Sequence, residues 1–138
     1  MNIFSPKGFL QVGGLVLVVV ALLGFFGIIG PTPEQSLFGA AWVFDNGENW
    51  AHLVLGAVAL IAAYALKDAS QQKWLVAIVG VLGILFGVYS LFGPITEGAT
   101  FMGAALQNPT DTILHLVIGA WALMAAFKKE PGMMGMPA

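Results

Sequence analysis

Four apolar stretches, residues 8–29, 46–66, 74–92 and 109–127, each run for about 19 to 22 residues, and they constrain the fold before any other feature does. At ~1.5 Å per helical residue, each reaches across the ~30 Å hydrocarbon core of a bilayer. Backbone in lipid must satisfy its own N–H and C=O groups, so stretches of this kind read as transmembrane α-helices. The chain is 59% hydrophobic and only 9% charged, well above the apolar share of about 45–50% in soluble domains. The predicted fold class is therefore all-α, a polytopic membrane protein in which residues 1–138 form a single four-helix transmembrane domain. The first stretch exceeds the ~7–15 residues of a signal-peptide core and lacks a small-x-small cleavage pattern, so it reads as a retained helix.

The few charges are sorted by position. All five basic residues are lysines: Lys7 before the first stretch, Lys67 and Lys73 between the second and third, Lys128 and Lys129 after the fourth. The other two connections carry Glu34, Asp45, Glu48, Glu97 and Asp111 without a Lys or Arg. By the positive-inside rule both termini are expected in the cytoplasm, with the acidic connections outside a bacterial inner-type membrane. The absence of cysteine removes disulfides and thiolate sites. A net charge of −2 argues against nucleic-acid binding.

The chain is also one unit written twice. His52 and His115, the only histidines, each open a twelve-residue phrase, HLVLGAVALIAA and HLVIGAWALMAA, with nine identities. The offset is 63, and without a gap it gives 18 identities between residues 16–64 and 79–127. Gly24 matches Gly87, Gly30-Pro31 matches Gly93-Pro94, Glu34 matches Glu97, Phe38 matches Phe101, and Ala41 matches Ala104. The expectation is two parallel two-helix repeats, about 8–66 and 71–129, around a pseudo-twofold axis along the membrane normal. In each, Gly-Pro should end the first helix. A segment at 33–44 or 96–107 follows, with Phe38, Trp42 and Phe44, or Phe101, Met102 and Leu106, and should lie in the outer interface.

The second helix of each repeat carries the candidate site. Asp45 to Glu48 and Asn108 to Asp111 are spaced like capping boxes, the latter with proline at the first helical position. Glu48 and His52, or Asp111 and His115, stand four apart and share a helix face. Gly56, Ala59 and Ala63, or Gly119, Ala122 and Ala126, continue that face. In the plainest reading the small residues form a helix-packing seam at or near the pseudo-twofold axis, and the acids cap helices. The histidines would then bond an acid, a loop carbonyl or water.

An ionisable residue inside a membrane is also a functional-site hypothesis by default. His52 and His115 would suit the iron of a haem or the magnesium of a chlorophyll-type pigment. Glu48, His52, Asp111 and His115 together offer a ligand set for zinc or a non-haem metal, or a proton relay. The three methionines of 131–138 are soft ligands in principle, but a mobile or partner-contacting tail explains them more simply. Trp42, Trp50 and Trp74 lie where an aromatic belt is expected. Trp121 lies within the fourth stretch and reads as a partner-facing surface.

The phrase Asn-x-x-His-Leu-x-x-Gly at 49–56, echoed at 112–119 with Thr112 in place of Asn49, resembles a bacterial family of small four-helix membrane proteins of unknown function. The resemblance covers roughly residues 8–127 and implies the four-helix fold and this motif, but no reaction. Small size, short loops and few polar groups point to a non-enzymatic accessory or scaffold subunit. Its expected partners are the lipid bilayer and a larger membrane complex or its own copies. The alternative is tetrapyrrole or metal binding through His52 and His115; no nucleophile or second base accompanies them to make an enzyme.

Overall fold

The computed structural model describes residues 1–92, 99–101, 104–106 and 109–128. Gly93-Pro94, Glu97, Met102, Asn108, Lys129 and the tail 131–138 lie outside them. Four helices dominate: α1 Pro6–Phe25, α2 Asn46–Ala65, α3 Ala69–Leu91 and α4 Thr110–Phe127. All four are long and apolar enough to cross a membrane. α1 packs chiefly along α2 and α3 along α4, with lighter contacts from α1 to α3 and α4. Where the four helices meet, at the lysine-bearing end, Phe9, Leu10, Ala62, Ala63, Val76, Ala77, Ala122, Ala125 and Ala126 form the buried core. Most of these side chains are small, so close backbone approach and dispersion contacts rather than bulk fill this interior.

Within each helix pair the glycines set the separation. A Cβ on Gly56 would lie 2.8 Å from the Gly14 carbonyl oxygen and 2.9 Å from the Val18 nitrogen. A Cβ on Gly119 would lie 2.9 Å from the Gly80 carbonyl oxygen and 2.7 Å from the Ile84 nitrogen. Gly56 and Gly119 thus join α2 to α1 and α4 to α3; they do not meet at a central axis, which corrects the seam expected from the sequence. The stripe reaches the centre only farther along, where Ala63, Ala122 and Ala126 are buried in the shared core and Ala59 packs against it.

The two crossings use different registers. Gly14 to Gly80 and Val18 to Ile84 are steps of 66, whereas Gly56 to Gly119 is a step of 63. Relative to its partner, α3 has therefore slipped by three residues compared with α1. The helix ends differ as well. α1 stops in a Schellman turn: Gly27 has φ 72°, its N–H bonds Gly24 O at 3.0 Å, and Ile28 N bonds Leu23 O at 2.9 Å. This stop precedes the expected Gly30-Pro31 terminator by several residues. The sequence equivalent of Gly27 is Ser90, for which a left-handed backbone is costly, and α3 runs on through it to Leu91.

The connections differ too. Between α1 and α2 the chain makes a loop pinned by Leu37 N to Ile28 O at 3.1 Å and Phe44 N to Gly30 O at 3.1 Å, with a 3-10 turn at Gly39–Ala41. Trp42 is not a belt residue: it is half-buried, with its ring 5.5 Å from Phe38 and 5.3 Å from Phe44. Trp50 and Trp74 are each 58% exposed, as belt residues would be. Between α3 and α4 the described residues form an antiparallel two-stranded ribbon, β1 Ala99–Phe101 and β2 Ala104–Leu106, with Ala99 opposite Leu106. An interfacial segment of one kind in both repeats is thus not what forms.

Trp121 is occupied within the chain. Its indole N–H donates to Ile3 O at 2.9 Å, and its ring meets Phe9 edge-on at 4.6 Å. Residues 2–5 fold back as a hook: Ser5 N and Oγ both donate to Asn2 O, at 3.1 and 2.7 Å. The Asn2 carbonyl sits where any Cβ on Gly8 would be, so glycine is required there. Trp121 therefore clips the start of the chain to the last helix, which replaces the partner-facing role expected for it.

Candidate functional site

The acidic ends of α2 and α4 bury an unusual number of polar groups for helices of this kind. Glu48, Asn49, Ser90, Asp111 and Thr112 are each between 1% and 3% exposed. Glu48 is held by the expected capping box, in which Glu48 N donates to Asp45 Oδ1 at 2.8 Å and Asp45 N donates to Glu48 Oε2 at 2.9 Å. α4 begins differently, with Pro109 as its cap residue and no side-chain cap bond. The box expected from Asn108 to Asp111 involves Asn108, which lies outside the described residues, and Pro109 precedes the helix instead of opening it.

The histidines follow one rule in both helices. His52 Nδ1 lies 2.6 Å from Glu48 O, and His115 Nδ1 lies 2.7 Å from Asp111 O. A carbonyl oxygen only accepts, so in each ring Nδ1 carries a proton and donates it, which leaves Nε2 as the nitrogen not used in this contact. Each imidazole thus bonds the backbone of the acid one turn earlier, not its carboxylate. His52 stacks on Phe44 at 4.9 Å and 15°, while His115 has Phe86 6.0 Å away at 50°. Glu48 lies within electrostatic range of Asp111, and His52 of His115. The two ends of the repeat motif are therefore neighbours in space.

They do not assemble as a metal centre. Among the described residues no group of three or more His, Asp or Glu side chains is placed to hold a metal ion. The set of Glu48, His52, Asp111 and His115 expected from the spacing is corrected accordingly. The reason is local: the Glu48 carboxylate is turned back onto the Asp45 amide.

The residues beside the histidines bind helix to helix, and sequence reading missed most of them. Ser90 Oγ donates to Gly87 O at 2.9 Å and is 2.6 Å from Thr112 Oγ1. In the first pair Asn49, the residue equivalent to Thr112, presses its amide onto Gly24, and its Oδ1 is buried without a hydrogen-bond partner. Gln72 closes the turn between α2 and α3, donating to Leu66 O at 2.9 Å and Ala63 O at 3.4 Å. Thr110 Oγ1 reaches Ala41 O at 2.5 Å, tying the start of α4 to the first connection. Polar residues near a helix end were the available signal, but their targets are backbone carbonyls that no sequence pattern marks.

No family model, no curated protein and no solved structure matches the chain. The resemblance drawn from the 49–56 phrase therefore stands on that phrase alone.

Proposed function

We propose that the chain is a non-enzymatic accessory or scaffold subunit of a larger assembly in a bacterial inner-type membrane. Its termini are cytoplasmic, and its two parallel two-helix repeats are related by a pseudo-twofold axis. The observation that carries this reading is how the polar groups near the helix ends are used. Glu48, Ser90, Thr112 and Gln72 cap or join helices, whereas the outward faces carry Leu15, Val19, Leu55, Ile61, Val81, Leu85 and Val117, all at least 45% exposed. A small, internally locked body that presents apolar faces on every helix suits a role in supporting neighbours. The test is native electrophoresis of the tagged protein released gently from its own membrane. Migration within a defined complex far above its 14.5 kDa mass is expected; a monomer in every mild detergent overturns the proposal. Topology is read independently from single cysteines placed at 7 and 34 in this cysteine-free chain, with the second expected to be labelled from outside.

One observation favours a second reading, ligation of a tetrapyrrole. Metal-binding histidines characteristically anchor one ring nitrogen on a carbonyl and offer the other, and His52 and His115 both do so. An absorption band in the purified protein that His52→Ala and His115→Ala abolish would establish it. A colourless protein overturns it and leaves the scaffold reading intact.

A further inference from the structure

The lysine-bearing end holds a groove that the scaffold reading does not use. It is open to the surface, with a volume of about 710 Å³ beside the N-terminal hook and α4, and is lined by Phe4, Leu123, Met124, Phe127 and Lys128. That volume falls within the ~300–1,000 Å³ common for small-molecule sites. Both aromatic walls carry an ammonium. Lys128 Nζ stands 4.6 Å from the Phe4 ring centre, and Lys73 Nζ stands 5.2 Å from that of Phe127.

Among the described residues no acidic side chain lines the groove. Asp68, the one described carboxylate at this end, is bonded to Ser70 N at 2.8 Å as the cap of α3. Glu48 and Asp111 belong to the opposite helix ends. The site thus pairs an apolar trough with the Lys128 ammonium in its lining and the Lys73 ammonium against its Phe127 wall, on the side where the lysines gather. Phe4 is not there by accident of a loose terminus, because the Ile3 carbonyl beside it is held by Trp121.

We infer that this groove holds one anionic phospholipid of the inner leaflet, its acyl chain against Leu123, Met124 and Phe127 and its phosphate between Lys73 and Lys128. The inference rests on the membrane reading above. Basic pockets beside transmembrane helices on the cytoplasmic side recognise anionic headgroups in this way. A zwitterionic lipid would fill the trough equally well but gain less from the lysines.

The test is native mass spectrometry of the full chain released from nanodiscs containing equal phosphatidylcholine and phosphatidylglycerol. The last lipid retained is expected to be phosphatidylglycerol, by roughly thirtyfold, at about fivefold for each lysine near the headgroup. Lys73→Gln with Lys128→Gln should bring the ratio near one, while Lys67→Gln, on the turn between α2 and α3 and not among the lining residues, should leave it unchanged. Equal retention of both lipids by the wild-type chain overturns the site. So does an equal loss in Lys67→Gln, which would mean attraction to the bilayer surface at large. A chain that never enters nanodiscs refutes the membrane reading instead, so the two failures are separable.

Discussion

The two helix pairs share a twelve-residue phrase on their second helices but dock it at different places on their first. In α1–α2, Gly56 meets Gly14 and Val18; in α3–α4, Gly119 meets Gly80 and Ile84, three residues out of step with the repeat. One position also distinguishes the two pairs. Gly27 lets α1 end in a left-handed residue, whereas Ser90 continues α3 and turns its hydroxyl to Thr112. The motif-bearing helices thus keep their shared phrase while the helices they pack on meet it in different registers. A glycine contact fixes how close two helices come but not which turn they share, because α3 offers Gly80, Gly83 and Gly87 in succession.

Filling the crossings should break both pairs. Gly56→Leu or Gly119→Leu puts a side chain into backbone of the neighbouring helix, and a loss of about 3 kcal/mol is expected in denaturant titration followed by circular dichroism. The same change at exposed Ala57 or Ala120 should be nearly silent. If Gly119→Leu were as mild as Ala120→Leu, the close α3–α4 crossing would be refuted.

The helix stop is the next test. Gly27→Ser forces a side chain into φ 72°, at an expected cost of about 1–2 kcal/mol. Gly13→Ser, a change in the interior of α1, serves as the control for adding a side chain. A Gly27→Ser variant as stable as wild type would mean that the residue at this position does not set where α1 ends.

Asp45→Ala removes one half of the capping box and should cost about 1 kcal/mol, read as fraying of α2 by hydrogen exchange at Glu48 and Asn49. The smallest effect belongs to the pair that replaces Gly24 and Asn49. A double-mutant cycle of Ser90→Ala and Thr112→Ala should return a coupling of roughly 0.6 kcal/mol, the average for such bonds between membrane helices. Zero coupling would remove the hydroxyl bridge from the account of α3's register.

Much of this was legible beforehand. Hydropathy placed all four helices, with α2 and α4 expected at 46–66 and 109–127 and found at Asn46–Ala65 and Thr110–Phe127. The Asp45 to Glu48 spacing announced its box, and the i,i+4 spacing put each histidine above its acid. The end of α1 was misjudged because Gly-Pro is the louder signal, yet the earlier Gly27 acted first, whereas α3 ends at Leu91, where the stretch 74–92 placed its end. The register was unreadable because apolar residues surround α3, so no polar face reports a three-residue slip. Trp121 was misread and Gln72 went unread for a shared reason: each bonds a main-chain carbonyl, of Ile3 and Leu66 respectively, and every residue carries one.

The hook at the N-terminus has a consequence for how the molecule is made. Ile3 and Trp121 are 118 positions apart, so α1 is synthesised and released well before its indole partner exists. Contacts so distant along the chain form late, after loop closure has been offset by others. Until α4 arrives, the Ile3 carbonyl and one flank of Phe9 wait without that neighbour, and the groove beside Phe4 has only one wall. Indole emission from position 121 would therefore report the moment at which the bundle is complete.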